Sequence, residues 1–122
     1  MGVTKKTLKP GNGTDRPTAG DTITMEYTGT LYDPSAPDNK GKQFDSSVGR
    51  SDFVTKIGVG QVIKGWDEGI LNVDGGMTLG EKATLTITSD YAYGERGFPG
   101  HIPPQASLVF DVELKAINNK RA

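Results

Sequence analysis

Val62-Ile63-Lys64-Gly65-Trp66-Asp67-Glu68-Gly69-Ile70 is the stretch on which the fold turns. Val62, Ile63, Trp66 and Ile70 fall at steps of one, three and four, which gathers apolar side chains on one side of a helix and leaves Lys64, Asp67 and Glu68 outside. No other segment has convincing helical spacing. Gly65 and Gly69 each cost roughly 1 kcal/mol relative to alanine in an isolated helix. This short helix must therefore be held by tertiary packing, not by its own propensity.

Outward from the helix the period changes to two. Ile23, Met25 and Tyr27 alternate with Thr22, Thr24, Glu26 and Thr28; Ala83, Leu85 and Ile87 alternate with Lys82, Thr84, Thr86 and Thr88. Leu108, Phe110, Val112 and Leu114 stand against Asp111, Glu113 and Lys115. Strands that bury one face read this way, and three of them predict an antiparallel sheet, wet on one side and wrapped on the helix. The 17 glycines and 7 prolines cut the chain into the short segments such a fold needs. Asp33–Gly41 is polar and carries two prolines, so it reads as an exposed loop with Asn39-Lys40-Gly41 as a turn candidate. A second long connection, Ser89–Gln105, contains Tyr91, Tyr93, Phe98, His101 and Ile102, and apolar residues on a loop call for a reason.

With 122 residues, one hydrophobic core and one domain spanning 1–122 are expected. Net charge is −1, from 14 basic and 15 acidic residues spread along the chain, so neither nucleic acid nor a membrane surface is an expected partner. The absence of cysteine removes disulfides and thiolate chemistry and points to a reduced compartment. Met1–Pro10 has no apolar run and reads as neither signal nor span. Lys6 stands where a myristoylation motif wants Ser or Thr, and Asn12-Gly13-Thr14 reads as a turn. Gly58-Val59-Gly60 lacks the third glycine of a dinucleotide fingerprint, and Trp66 occupies the lysine position of a phosphate loop. A single histidine, His101, supports neither a metal site nor a hydrolytic triad; no metal and no cofactor are expected. What remains is a set of aromatics, Tyr27, Phe44, Phe53, Trp66, Tyr93, Phe98 and Phe110, with Asp45 beside one of them. On spacing alone Trp66, Phe110 and Ile63 read first as core and only second as a site.

Tyr27-Thr28-Gly29, Phe44-Asp45-Ser46-Ser47 and Gly60-Gln61-Val62-Ile63-Lys64-Gly65-Trp66-Asp67-Glu68-Gly69 resemble the FKBP family in order and spacing. Gly80-Glu81-Lys82-Ala83, Tyr91-Ala92-Tyr93-Gly94, Gly97-Phe98-Pro99-Gly100, Ile102-Pro103-Pro104 and Leu108–Leu114 extend the resemblance over essentially the whole chain. It implies an α+β fold, a five- to six-stranded antiparallel curled sheet around one short helix. Asp33–Lys42 and Asn72–Thr78 look longer than in the shortest members, at loop positions where length costs little. Phe98 stands where some members have histidine, and His101 where an aliphatic residue is common.

The resemblance implies a peptidyl-prolyl cis/trans isomerase with a pocket lined by Tyr27, Phe44, Asp45, Phe53, Val62, Ile63, Trp66, Tyr93, Phe98, Ile102 and Phe110. Trp66 would be its floor, and Asp45, Tyr93, Tyr27, Trp66 and Phe110 its catalytic set. Asp45 either orients Tyr27 or meets the rotating carbonyl. Implied partners are proline-containing peptides and proteins, the macrolides tacrolimus and rapamycin, and calcineurin or the TOR kinase through the drug complex. A cytoplasmic monomer is expected, with the nucleus left open. The alternative is a module that uses the same pocket to bind peptides without catalysing their isomerisation.

Overall fold

The computed structural model describes residues 2–122; Met1, which opens the expected domain range, lies outside the described residues. Seven strands form one antiparallel sheet: β1 (Val3–Lys9), β2 (Thr22–Tyr32), β3 (Lys40–Ser46), β4 (Phe53–Lys56), β5 (Lys82–Ile87), β6 (Leu108–Ile117) and β7 (Lys120–Arg121). The helix α1 (Lys64–Leu71) lies between β4 and β5 in the chain. The lateral order is β1-β5-β6-β2-β3. Seven strands exceed the expected five or six because lanes are shared. β4 pairs with Thr22–Met25 and β3 with residues 28–32 of the same long strand, so both run along one flank of β2. β7 returns for two residues onto the end of β6, on the side away from β2. The sheet thus has five lanes.

The three alternating segments are β2, β5 and β6, and their apolar positions point inward. Ile23, Met25, Leu85, Ile87, Leu108 and Leu114 are fully buried, joined by Ile70 from α1. The helix starts later than its apolar spacing suggests. Val62 and Ile63 precede it, with Ile63 extended (φ −58°, ψ 149°) and its carbonyl accepting the N–H groups of Trp66 and Asp67 at 3.0 and 3.3 Å. A period-based reading cannot separate the approach to a helix from its first turn when both face the core. Gly65 and Gly69, unfavourable in isolation, are the contact points. A Cβ on Gly65 would overlap the Ile87 side chain, and one on Gly69 would come within 3.0 Å of both Leu85 methyls. Their absence lets α1 lie directly on β5.

The Asp33–Gly41 reading needs trimming. Its turn is carried by Asp38 and Asn39, both at positive φ, while Lys40 and Gly41 already belong to β3. Asn12 does form a turn, its Oδ1 accepting the N–H groups of Thr14 and Asp15 at 3.1 and 3.0 Å.

β1 went undetected in the sequence because its inward positions are not apolar throughout. Lys5 faces the core in register with Leu85 and pairs with Glu81 at 3.1 Å, the two side chains being 4% and 6% exposed. Glu81 also accepts from the Thr7 hydroxyl and the Thr78 N–H, each at 3.1 Å, and Lys5 donates to the Gly76 carbonyl at 3.0 Å. This network ties the longer connection after α1 to the edge of the sheet.

Candidate active site

Between the concave face of the sheet and α1 opens a cavity of about 470 Å³, lined by Tyr27, Phe44, Asp45, Phe53, Gly60, Gln61, Val62, Ile63, Trp66, Tyr93 and Phe110. Six parts of the fold deliver the aromatic residues and Asp45: β2 brings Tyr27, β3 Phe44 and Asp45, β4 Phe53, α1 Trp66, β6 Phe110, and the Ser89–Gln105 connection Tyr93. Trp66, 4% exposed, is met edge-on by Tyr27, Phe53 and Phe110, with ring centroids 5.1, 5.8 and 5.3 Å away. Phe44 meets Phe110 edge-on at 5.5 Å. Such T-shaped contacts place positive ring edges against negative faces and fix ring orientations. Gly29 makes room for this arrangement, since a Cβ there would lie 2.7 Å from both the Phe110 and Phe44 rings.

One end of the cavity is polar. The Tyr27 hydroxyl donates to Asp45 Oδ2 at 2.6 Å, while Oδ1 accepts from the Ser46 N–H at 2.8 Å and the Arg50 guanidinium at 2.9 Å. Partial burial of Asp45 opposes its ionisation, but the Tyr27 hydroxyl, the Ser46 N–H and Arg50 outweigh it and hold the carboxyl below its usual range. Tyr27 is pushed up to about 12, first by burial and then by the bond to the Asp45 carboxylate. Burial and, after it, the Asp45 charge also raise Tyr93. At neutral pH the site therefore holds one carboxylate and two neutral phenols. Among the described residues the Ile63 N–H and the Tyr93 hydroxyl have no hydrogen-bond partner, and neither does the buried Trp66 Nε1–H, so the cavity offers unpartnered donors.

Nine of the eleven residues expected from the sequence line this cavity. Phe98 and Ile102 do not; they line an adjoining cleft of about 210 Å³ together with His101, Phe44, Asp45 and Tyr93. The separation is physical. Phe98 and Ile102 close a small hairpin through two backbone bonds, at 2.8 and 2.7 Å, which holds Ile102 inward and turns Phe98 half outward. The Phe98 ring stacks on Tyr93 at 5.9 Å and tilts against His101 at 5.1 Å. Sequence reasoning missed Gly60 and Gln61 in the wall, and Arg50, which reaches Asp45 from an exposed turn. A basic residue five positions after the aspartate was the only available signal, and such spacing is common.

Among the described residues no cluster of three or more His, Cys, Asp or Glu is placed to hold a metal ion, and no helix is long and apolar enough to cross a membrane. A family described as FKBP-type peptidyl-prolyl cis-trans isomerase matches residues 13–115. The chain is 60% identical over 117 residues to FK506-binding protein 1B of Neurospora crassa, covering 96% of this chain and 99% of that one. It is also 60% identical over 123 residues to a peptidyl-prolyl cis-trans isomerase of Schizosaccharomyces pombe, covering both chains completely. The crystal structure of AtFKBP13 superposes with a TM-score of 0.80 at 40% identity, over 92% of this chain and 90% of that one.

Proposed function

The chain belongs to the FKBP-type peptidyl-prolyl cis-trans isomerases, and from that premise we propose that X-Pro bonds rotate in the cavity floored by Trp66. The observation that carries this reading is an aromatic cavity with unpartnered donors, among them the Ile63 N–H and the Tyr93 hydroxyl, at its wall and rim. Rotation about an X-Pro bond must break amide resonance against a barrier of roughly 18–20 kcal/mol. No covalent bond is made or cut. In the twisted state the carbonyl loses part of its resonance dipole, so a site that strips water from the amide penalises the planar state more than the twisted one. Each 1.36 kcal/mol of that difference is about tenfold in rate.

The proline ring rests over Trp66 between Tyr27, Phe53 and Phe110. The Ile63 N–H holds a substrate carbonyl and fixes chain direction, and Tyr93 donates a second bond. Asp45 acts by orienting Tyr27, since both its oxygens are already engaged by Tyr27, Ser46 and Arg50. Its charge also faces the cavity where the amide dipole changes.

The same cavity takes tacrolimus and rapamycin, a reading supported by relatives that carry the name FK506-binding protein. The rim from Glu95 to Pro104 then forms part of the surface offered to calcineurin or the TOR kinase, and Phe98 and His101 tune that contact. We take residues 1–122 as one isomerase domain acting as a cytoplasmic monomer, with entry to the nucleus left open, on proline-containing peptides and proteins.

A protease-free cis/trans assay on a Leu-Pro peptide, with and without rapamycin and beside Trp66→Leu, tests the reading. Turnover blocked by the macrolide and lost in the variant is expected. Turnover that survives both would move the chemistry out of this cavity.

A further inference from the structure

Asp67 follows Trp66 on α1, yet it points to the other side of the Gly58–Ile63 segment. Its Oδ1 accepts the Gly58 N–H at 2.7 Å and its Oδ2 the Gly60 N–H at 3.2 Å. Both glycines have positive φ, +80° and +77°, in the left-handed region that side-chain-bearing residues avoid. In that conformation two donors two positions apart, on either side of Val59, converge on a single carboxylate, and charge-assisted bonds of this kind are the strong ones. The next residues along the chain, Gly60, Gln61, Val62 and Ile63, form one wall of the cavity.

The segment has few other hydrogen bonds. Before it, Ile57 is fully buried and exchanges backbone bonds with Asp21 and Gly20. After it, the Ile63 carbonyl is held by the start of α1. Between these anchors the remaining hydrogen bonds are two long ones at 3.4 Å, from the Thr55 hydroxyl and the Lys56 N–H to the Gln61 amide oxygen, while Val62 and Ile63 pack against the core through their side chains. We infer that Asp67 is a positioning residue for the isomerase: it clamps the Gly58–Ile63 segment to the helix that carries the cavity floor, and so fixes where the Ile63 N–H meets substrate. Floor and wall are then set by neighbouring residues, Trp66 by its ring and Asp67 by its carboxylate. This inference rests on the role given above to the Ile63 N–H.

The test compares wild type, Asp67→Ala and Asp67→Asn in the Leu-Pro assay and by amide hydrogen exchange at Gly60–Ile63. Asp67→Ala is expected to raise KM about tenfold with kcat within about twofold, and to speed exchange at those amides by at least about tenfold, as loss of charge-assisted bonds implies. Asp67→Asn keeps one acceptor oxygen and is expected to fall between the two. A lowered melting temperature with KM and exchange unchanged would make Asp67 merely a favourable charge near a helix N-terminus and overturn the inference. If Asp67→Ala does not fold, Asp67→Asn decides: a wild-type KM overturns the inference and a raised one supports it. Should the wild type bind the peptide without using the Ile63 N–H, the role of that N–H fails, while the exchange comparison still judges the clamp.

Discussion

Two ion pairs of nearly the same length lie on one row across the sheet, at its opposite edges. The register runs Lys5, Leu85, Phe110, Gly29, Asp45, from β1 to β3. At one edge Lys5 meets Glu81 at 3.1 Å with both side chains at most 6% exposed; at the other Arg50 meets Asp45 at 2.9 Å with 65% and 45% exposed. Distance alone does not tell them apart. The buried pair is enclosed by Thr7, Thr78 and Gly76, so every charge there is committed to holding the fold. The solvated pair keeps its carboxylate at the cavity mouth, where water screens it and Tyr27 shares it. A partnered charge in the interior thus serves stability, and one at a wet rim is available to chemistry.

Breaking the buried pair should have the largest effect. Glu81→Leu leaves the buried Lys5 ammonium without a counter-charge and the Thr78 N–H without a partner, and is expected to cost about 3–5 kcal/mol in urea unfolding, with kcat/KM of the folded protein unchanged. Adding Lys5→Met should restore most of it; activity lost at full stability would erase the contrast between the two edges. Gly29→Ala, between Phe110 and Asp45 on the row, forces a methyl against Phe44 and Phe110 and should cost about 1–3 kcal/mol while weakening peptide binding. Asp45→Val should do the reverse of Glu81→Leu, lowering kcat/KM about tenfold with about 1 kcal/mol or less lost in stability. Combined with Tyr27→Phe it should add little, because the two act as one unit.

Smaller still is Arg50→Ala, expected within about 1 kcal/mol in stability and damped further by salt. The smallest effect is that of pH. Asp45 is held below the usual carboxylate value, so its contribution is present above that value and is lost only as acid passes the lowered folded one. Tyr27 is raised, so its contribution is complete below its ordinary 10 and fades as pH climbs to about 12. A flat kcat/KM between about pH 5 and 9 follows. A midpoint near neutrality in the rate profile would assign the chemistry to another group.

The same contrast explains what could be read in the sequence. β2, β5 and β6 were legible because each buries apolar residues at every second position, and the aromatic cavity was legible because Trp66, Phe110 and Tyr27 recur in a known order. β1 was hidden by its inward lysine, whose partner is 76 positions away in sequence. β4 was hidden by its shortness, and both β3 and β4 by an exposed edge, where little pattern is imposed. The fold around the polar end was legible at Asp45 but not at Arg50, since a turn residue acquires its role from the place where the turn delivers it. Likewise Gly65 and Gly69 read as weaknesses until the sheet that they touch was in view.

The placement of β6 also has a kinetic consequence. It pairs with β2 along one side and β5 along the other, and β1 joins the sheet only through β5. During synthesis, residues 22–32 must therefore wait for residues 108–117 before they gain their main partner. Pairing across so long a loop is slow and leaves apolar strand edges exposed meanwhile. Folding of this sheet thus waits on residues 108–117, and the stage most dependent on protection by other proteins comes before β6 arrives.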